Sequence, residues 1–205
     1  MGSEAPWATY TIAEGAHDAH VTDRYLKNPI DGVTSVIGRD YELALDETAI
    51  YELTQPTEPQ DQFDWNKLPG LSDCGTVDLS RDGAMFGWRW RVDMTPARLE
   101  ITAYANNDGV HLWRETPEMV MLDADDLAAN APLRYRVARE QDQYTFSISG
   151  TIRGRDIYAE TTLPRRCADM ERDPLAWAGA FYFGGTSTAP HEITARMRET
   201  AFVEE

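Results

Sequence analysis

The stretch Asp61–Asp93 reads DQFDWNKLPGLSDCGTVDLSRDGAMFGWRWRVD and contains the clearest strand pattern in the chain. After Ala84 the side chains fall into two alternating sets: Phe86, Trp88, Trp90 and Val92 in one, and Met85, Gly87, Arg89 and Arg91 in the other. Alternation with a period of two is typical of a strand with one buried face. The pattern predicts that the two tryptophans face the core and that the two arginines project from the opposite side.

Working outward from this strand, similar alternation or short apolar runs predict ten more strands, separated by turn residues. The predicted strands lie at 8–13, 41–45, 49–53, 99–105, 110–113, 133–137, 144–153, 157–163, 177–183 and 191–197. Turns are expected at Asn28-Pro29, Asp31-Gly32 and 106–109. No helical crossover interrupts the series, which favours an antiparallel sandwich over an α/β fold. We expect an all-β fold, a single antiparallel β-sandwich (jelly roll) over residues 1–205, with at most one or two short helical turns.

Composition and net charge argue against some classes of binding partner. The chain has 205 residues and a net charge of −16, with Lys27 and Lys67 as its two lysines. Phosphate binding relies on a basic surface, so the charge argues against a nucleic-acid partner. No apolar run is long enough to cross a bilayer, and MGSEAPWATY lacks a signal-peptide pattern. We therefore expect no membrane insertion and favour a cytoplasmic location.

The candidates for metal binding are weak. Cys74 and Cys167 have no CxxC partner, and without an export signal we expect free thiols. His17 and His20 have the spacing of one helical face, but a solvated loop is the better interpretation. The acidic segment 123–130 superficially resembles a calcium loop, yet it lacks the glycine and later acid of an EF-hand. A helical turn capped by Asp123 explains it better, so we predict no metal and no cofactor.

Two longer segments carry a resemblance to a known architecture. The strand run YTFSISGTIRG (144–154), followed by WAGAFYFGGTSTAPHEITARM (177–197) as a closing pair, resembles the concanavalin A-like jelly roll. The likeness covers about the last two-thirds of the chain and rests on layout. Lectins, laminin-G-like modules, glucanases and alginate lyases share that architecture, so the resemblance implies a carbohydrate-facing role. The segments DWNKLPGLSDCG and FYFGGTSTAPH are also similar to parts of uncharacterised bacterial proteins.

Two groups of residues are candidates for a binding surface. The outward strand positions carry Arg89, Tyr104, His111, Trp113 and Arg134, and the loop before the central strand adds Trp65 and Lys67. Arginine binds carboxylate or sulfate at two points, and aromatic faces stack on sugar rings. The alternatives are structural. The arginines would pair with acids such as Glu100 on neighbouring strands, and Trp65 would cover one end of the sandwich.

Catalytic signals are few. The chain has no GxSxG, HExxH or phosphate-binding glycine loop, and none of the paired carboxylates of jelly-roll glucanases. The resemblance to alginate lyases implies an arginine, a tyrosine and a histidine converging on a uronate, which Arg89, Tyr104 and His111 would supply. The Gln-x-His triplet of those lyases is absent.

These observations favour a non-catalytic binding or assembly module, lectin-like, with an acidic oligosaccharide or a protein as its partner. One alternative is a jelly-roll polysaccharide lyase or glycoside hydrolase, which would show a deep cleft with convergent histidine, tyrosine and arginine. The other is a structural subunit of a larger assembly, which would show a large apolar interface.

Overall fold

The structure is a computed structural model that describes residues 6–21, 37–113, 118–167 and 181–203. For residues 201–203 it describes the backbone alone. The predicted turns at Asn28-Pro29 and Asp31-Gly32, and residues 177–180 of the predicted strand 177–183, lie outside the described residues.

Two antiparallel sheets pack face to face, which confirms the predicted all-β sandwich. The first sheet has seven strands: β1 (Ala8–Ile12), β2 (Ala19–Val21), β3 (Gly38–Leu45), β10 (Leu133–Arg139), β11 (Gln143–Ile152), β12 (Arg155–Pro164) and β13 (Ile193–Val203). Across the sheet they lie in the order β12-β11-β10-β3-β13-β1-β2. The second sheet has six: β4 (Asn66–Lys67), β5 (Leu71–Ser72), β6 (Gly83–Arg91), β7 (Arg98–Asn107), β8 (Val110–Trp113) and β9 (Val120–Leu122).

The central strand β6 has the predicted phase. Phe86 and Trp88 are fully buried, and Trp90 is 6% exposed, because all three face the space between the sheets. Trp88 stacks on Phe181 with 5.6 Å between ring centroids, and Phe86 meets Phe146 of β11 edge-on at 5.4 Å. Aromatic contacts from both sheets therefore form the centre of the core.

Helical structure is short in the described residues. The helix α1 (Ala124–Ala128) begins at Asp123, whose side chain accepts a 2.8 Å hydrogen bond from the backbone N–H of Asp126. The acidic run is thus a capped helix start, as predicted. The predicted strand at 49–53 was wrong: Asp46 caps a 3₁₀ turn, Glu47–Ala49, which diverts the chain there. A second 3₁₀ turn covers Asp61–Phe63.

The prediction of free thiols was wrong. Cys74 and Cys167 form a disulfide, with 5.6 Å between their Cα atoms, inside the usual range for a bridge. The cysteines are 93 residues apart in sequence. They meet because the segment after β5 packs against the segment that follows β12, a long-range contact that residue spacing does not reveal.

Beside the disulfide lies a buried charge cluster. Asp73 is fully buried and accepts hydrogen bonds from Tyr144 (2.8 Å), Arg139 (3.0 Å) and Arg165 (2.6 and 3.0 Å). Burial alone would raise the pKa of this carboxyl, but the bonds from Arg165 and Tyr144 lower it below its usual value. The cluster joins the second sheet, through Asp73, to β10, β11 and the end of β12.

In the described part of the chain, no helix has the length and apolar character needed to cross a membrane.

Candidate functional site

A cleft of about 800 Å³ lies on the outer face of the second sheet. Its floor comes from the outward positions of β6 and β7, and β8 closes one side. The other walls come from the loop around Phe63–Trp65, from residues 77–80 and from residues 182–185. Clefts of this size are typical of sites for small ligands.

Six of the seven residues predicted from the sequence line this cleft: Trp65, Lys67, Arg89, Tyr104, His111 and Trp113. Strand register explains the convergence. Tyr104 is directly opposite Trp113, and Asn106 is opposite His111, in the β7–β8 pair. Residues directly opposite each other in an antiparallel pair project from the same face.

The seventh residue, Arg134, does not belong to this surface. The expectation that it shares a sheet with Arg89 was wrong, because β10 pairs with β3 and β11 in the first sheet. Its guanidinium donates to both carboxylate oxygens of Asp40, at 2.8 and 2.5 Å. The alternation within a strand predicts which side chains share a face, but it does not say which sheet the strand joins.

Three rings stand together at the β8 side of the cleft. The rings of Tyr104 and Trp113 are stacked, with 6.2 Å between centroids and 11° between planes. His111 lies 5.9 Å from Tyr104, and its Nδ1 is hydrogen-bonded to the side-chain oxygen of Asn106. Trp113 remains 39% exposed, whereas Tyr104 is 5% exposed. An accessible aromatic face on a buried, fixed support is suited to stacking against a flat or ring-shaped ligand.

Trp65 forms the opposite wall. Its ring lies against Gly87, where a Cβ would be 3.0 Å from Cε3 of the indole, so a side chain at that position would displace the ring. The guanidinium of Arg89 covers the ring at 3.9 Å from its centroid. With Met85 and Tyr104, Trp65 forms a small apolar cluster outside the main core.

Arg89 is held by three contacts. Besides covering Trp65, it donates from Nε to Glu100 at 2.8 Å and from Nη1 to the Phe63 carbonyl at 2.8 Å. Glu100 is 2% exposed and also accepts from Arg91. The alternative in which the outward arginines pair with Glu100 is therefore confirmed for this strand.

Lys67 is the second cation of the cleft. Its Nζ lies 4.4 Å from the centroid of the Tyr104 ring and donates a hydrogen bond to the Trp65 carbonyl. Burial lowers the pKa of Lys67 to about 8, against an opposing attraction from Asp64. Burial also raises the pKa of Tyr104, to about 12, with Asp64 adding to the effect. Burial and the charge of Asp61 together raise the pKa of Asp64.

Several lining residues were not predicted from the sequence. Tyr182 exchanges backbone hydrogen bonds with Lys67, at 2.8 and 3.0 Å, and its ring stacks on His17. The alternation of buried Phe181 and Phe183 with Tyr182 between them was the available signal. Phe63 and the segment 77–80 had no comparable signal, because loops carry no periodicity.

The residues considered as metal ligands, His17, His20, Cys74 and Cys167, lie among the described residues. His17 is hydrogen-bonded to the Phe183 carbonyl, and His20 lies on β2 opposite Thr11. Within the described ranges, the one cluster of three potential ligands is Asp73 with Cys74 and Cys167. Its sulfurs are bonded to each other, and both oxygens of Asp73 accept from arginine.

Comparisons with known proteins identify a fold and no family. No protein-family model matches the chain, and no curated protein matches it. An alginate lyase from Klebsiella pneumoniae is structurally similar, with a TM-score of 0.50 and 10% sequence identity over 83% of this chain. The match covers 61% of that lyase, so this chain spans about three-fifths of its length. At this identity the likeness shows the fold alone.

Two further solved structures are more distant. The CBM2 module of the evolved Dit of Lactobacillus casei BL23 phage J-1 has a TM-score of 0.37 and 8% identity, covering 98% of this chain and 82% of that one. The kappa-carrageenase of Pseudoalteromonas carrageenovora, solved with an oligotetrasaccharide, has a TM-score of 0.30 and 10% identity, covering 99% and 88%. These scores are too low to carry an argument.

Proposed function

We propose that the cleft on the second sheet binds an oligosaccharide, with a preference for acidic sugars, and that the protein acts as a non-catalytic, lectin-like binding module. The observation that carries the proposal is the convergence of Trp113, Tyr104 and Lys67 in one cleft. An exposed indole supplies a stacking face for a sugar ring, and a cation beside it supplies a hydrogen-bond donor for a carboxylate.

The exposed apolar side chains support this location. Among the described residues, five large hydrophobic side chains are exposed, and three of them, Phe63, Val77 and Trp113, line the cleft. Exposed apolar groups concentrated in one concavity, rather than scattered singly, mark an interaction site. Polar side chains such as Asp64, Ser80 and Asn106 line the same cleft, and a mixed lining of this kind suits an amphipathic ligand such as a saccharide.

The test is calorimetric titration of oligosaccharides into the protein at low salt. Because an alginate lyase shares the fold, alginate oligosaccharides are the first ligands to try, alongside neutral oligosaccharides of equal length. We expect binding that weakens with added salt for the acidic ligands, since salt screens exposed charges over about 8 Å at physiological ionic strength. If neither class binds at low salt, the proposal fails and the structural-subunit alternative is favoured.

One observation favours a second candidate, a polysaccharide lyase. Lys67, Tyr104 and His111 meet in the cleft and would place proton-transfer groups beside a bound uronate. In such an elimination, a base removes the proton next to the carboxylate, a double bond forms, and the glycosidic oxygen leaves with a proton. Ultraviolet absorbance of unsaturated products separates the candidates: products would make the protein a lyase, and binding without products supports the lectin-like module.

A further inference from the structure

The cleft contains two cations with different freedom to contact a ligand. The guanidinium of Arg89 already binds the Glu100 carboxylate and the Phe63 carbonyl, and one of its faces covers Trp65. Glu100 is 2% exposed, so moving Arg89 toward a ligand would leave a buried carboxylate with one of its two arginine partners. Removing part of the charge that compensates a buried carboxylate is costly. Arg89 is therefore fixed in the wall of the cleft, and the part of it left to contact a ligand without moving is Nη2, which has no hydrogen bond among the described residues.

Lys67 is arranged differently. The ammonium group has three donors, and one of them points at the Trp65 carbonyl. Its Nζ lies over the Tyr104 ring, 4.4 Å from the centroid. In the described part of the chain no carboxylate lies within ion-pairing distance of Nζ, and Asp64 acts on it from farther away. Two donors of Lys67 thus remain for a ligand in the cleft.

We infer that Lys67, and not Arg89, selects a carboxylate-bearing sugar in this cleft, and that this selection is lost as the pH rises. The inference rests on the proposed saccharide-binding function and names the group that gives it a preference for acid. A carboxylate over the Tyr104 edge would accept the two remaining N–H donors of Lys67, while the sugar ring stacks on Trp113. Charge-assisted bonds of this kind discriminate strongly in a partly buried site.

The pH dependence follows from the surroundings of the amine. Charged and titratable groups line the cleft on several sides: Asp18, Asp64 and Asp78 from loops, Arg89 from β6, Tyr104 from β7, His111 from β8, and Tyr182. Burial lowers the pKa of Lys67 to about 8 despite the attraction of Asp64, so the protein without ligand loses this charge in mildly basic solution. Below that pH the protonated amine attracts a carboxylate, and above it the attraction disappears. Bound carboxylate shifts the transition upward.

The experiment uses a matched pair of ligands, a uronate oligosaccharide and the same oligosaccharide with its carboxyl groups reduced to alcohols. Titrations from about pH 6.5 to about pH 9.5 bracket the transition of Lys67. We expect the protein to prefer the uronate by about tenfold or more at the low end and to lose most of that preference at the high end. The ratio of the two affinities cancels the pH effects that act equally on both ligands, and the Lys67 variants below separate the effect of Lys67 from that of other cleft groups.

Three variants complete the test. Lys67→Arg should keep the preference at all pH values, because arginine stays protonated. Lys67→Met should bind both ligands equally at every pH while still binding the neutral one. Arg89→Gln should weaken both ligands by the same factor. Thermal unfolding of each variant confirms that it is folded.

The outcomes separate the two proposals. A preference that does not change with pH in the unmodified protein, or one that survives in Lys67→Met, overturns the role of Lys67 and leaves saccharide binding intact. If the preference disappears only in Arg89→Gln, the selecting role belongs to Arg89, and the proposed role of Lys67 is overturned as well. If neither ligand binds at any pH, the saccharide function itself is wrong, and the inference falls with it.

Discussion

The indole of Trp113 lies parallel to the ring of Tyr104, with 6.2 Å between centroids and 11° between planes. The two residues are directly opposite each other in the β7–β8 pair, so the backbone register sets the stack. Tyr104 is buried against Trp65 and Met85, which gives the outer ring a rigid support. Because Trp113 keeps 39% of its surface exposed, it is the ring of the stack that a ligand reaches.

Replacing Trp113 by alanine should lower saccharide affinity by about tenfold, which corresponds to about 1.4 kcal/mol. Because the side chain is partly exposed, the free energy of unfolding should fall by less than about 1.5 kcal/mol. Calorimetric titration and urea unfolding measure the two quantities.

The matched control is Val110→Ala, on the same strand. Val110 is 61% exposed and does not line the cleft, so its loss should leave affinity unchanged. Equal affinities for Trp113→Ala and the unmodified protein would remove Trp113 from the binding site.

Reducing the disulfide should lower the free energy of unfolding by about 4 kcal/mol, because the bond closes a loop of more than 90 residues in the unfolded chain. Urea unfolding with and without a reductant measures the change, and mass spectrometry should show a gain of two hydrogens on reduction. Persistence of this bond is typical of an oxidising environment.

The double variant Cys74→Ser, Cys167→Ser is the control for the reductant. It should resemble the reduced protein and show no response to reducing agent. A native protein that already carries two free thiols would contradict the disulfide.

Trp88→Ala should destabilise the fold by about 3–5 kcal/mol, because the fully buried indole packs on Phe181 and Tyr51 and its loss leaves a cavity. Trp88→Phe should cost less, since it keeps an aromatic ring there. It also removes an indole Nε1 that has no hydrogen-bond partner among the described residues. Urea unfolding of both variants checks the order, and a larger loss for phenylalanine would contradict this account.

Asp73→Asn should lower the free energy of unfolding by about 3–5 kcal/mol, because it removes the buried negative charge that pairs with Arg139 and Arg165. The pH dependence has a defined sign. The pKa of Asp73 is lower in the folded protein than in the unfolded chain, so the unfolded chain binds the proton first on acidification. The stabilisation is complete above the ordinary value of 3.8 and is lost as the pH falls through the folded value.

Urea unfolding from neutral pH down to about pH 3 measures this loss, which should be smaller in Asp73→Asn. The control is Asp125→Asn. Its side chain is 78% exposed and pairs with Arg153 at 3.4 Å, so its removal should cost less than about 1 kcal/mol. Similar losses for the two variants would show that the cluster around Asp73 adds no special stability.

The sequence by itself determined the features that depend on neighbouring residues. The alternation through Phe86, Trp88 and Trp90 predicted the buried face of β6, and the same pattern in β7 predicted that Leu99 and Ile101 point inward. The helix start capped by Asp123 was also predicted correctly from the sequence. A strand buries every second side chain, and a cap needs a contact three residues away, so such patterns are complete within a short window.

Only the tertiary structure decided which segments meet. Arg134 and Arg89 have the same local pattern, yet they lie on different sheets, because strand partners are chosen by contacts across the whole chain. The Cys74–Cys167 bond depends on such contacts in the same way. The position of Lys67 over the ring of Tyr104 also depends on such contacts. Strand β4 has two residues and therefore no periodicity of its own, and its pairing with β6 brings the amine into the cleft.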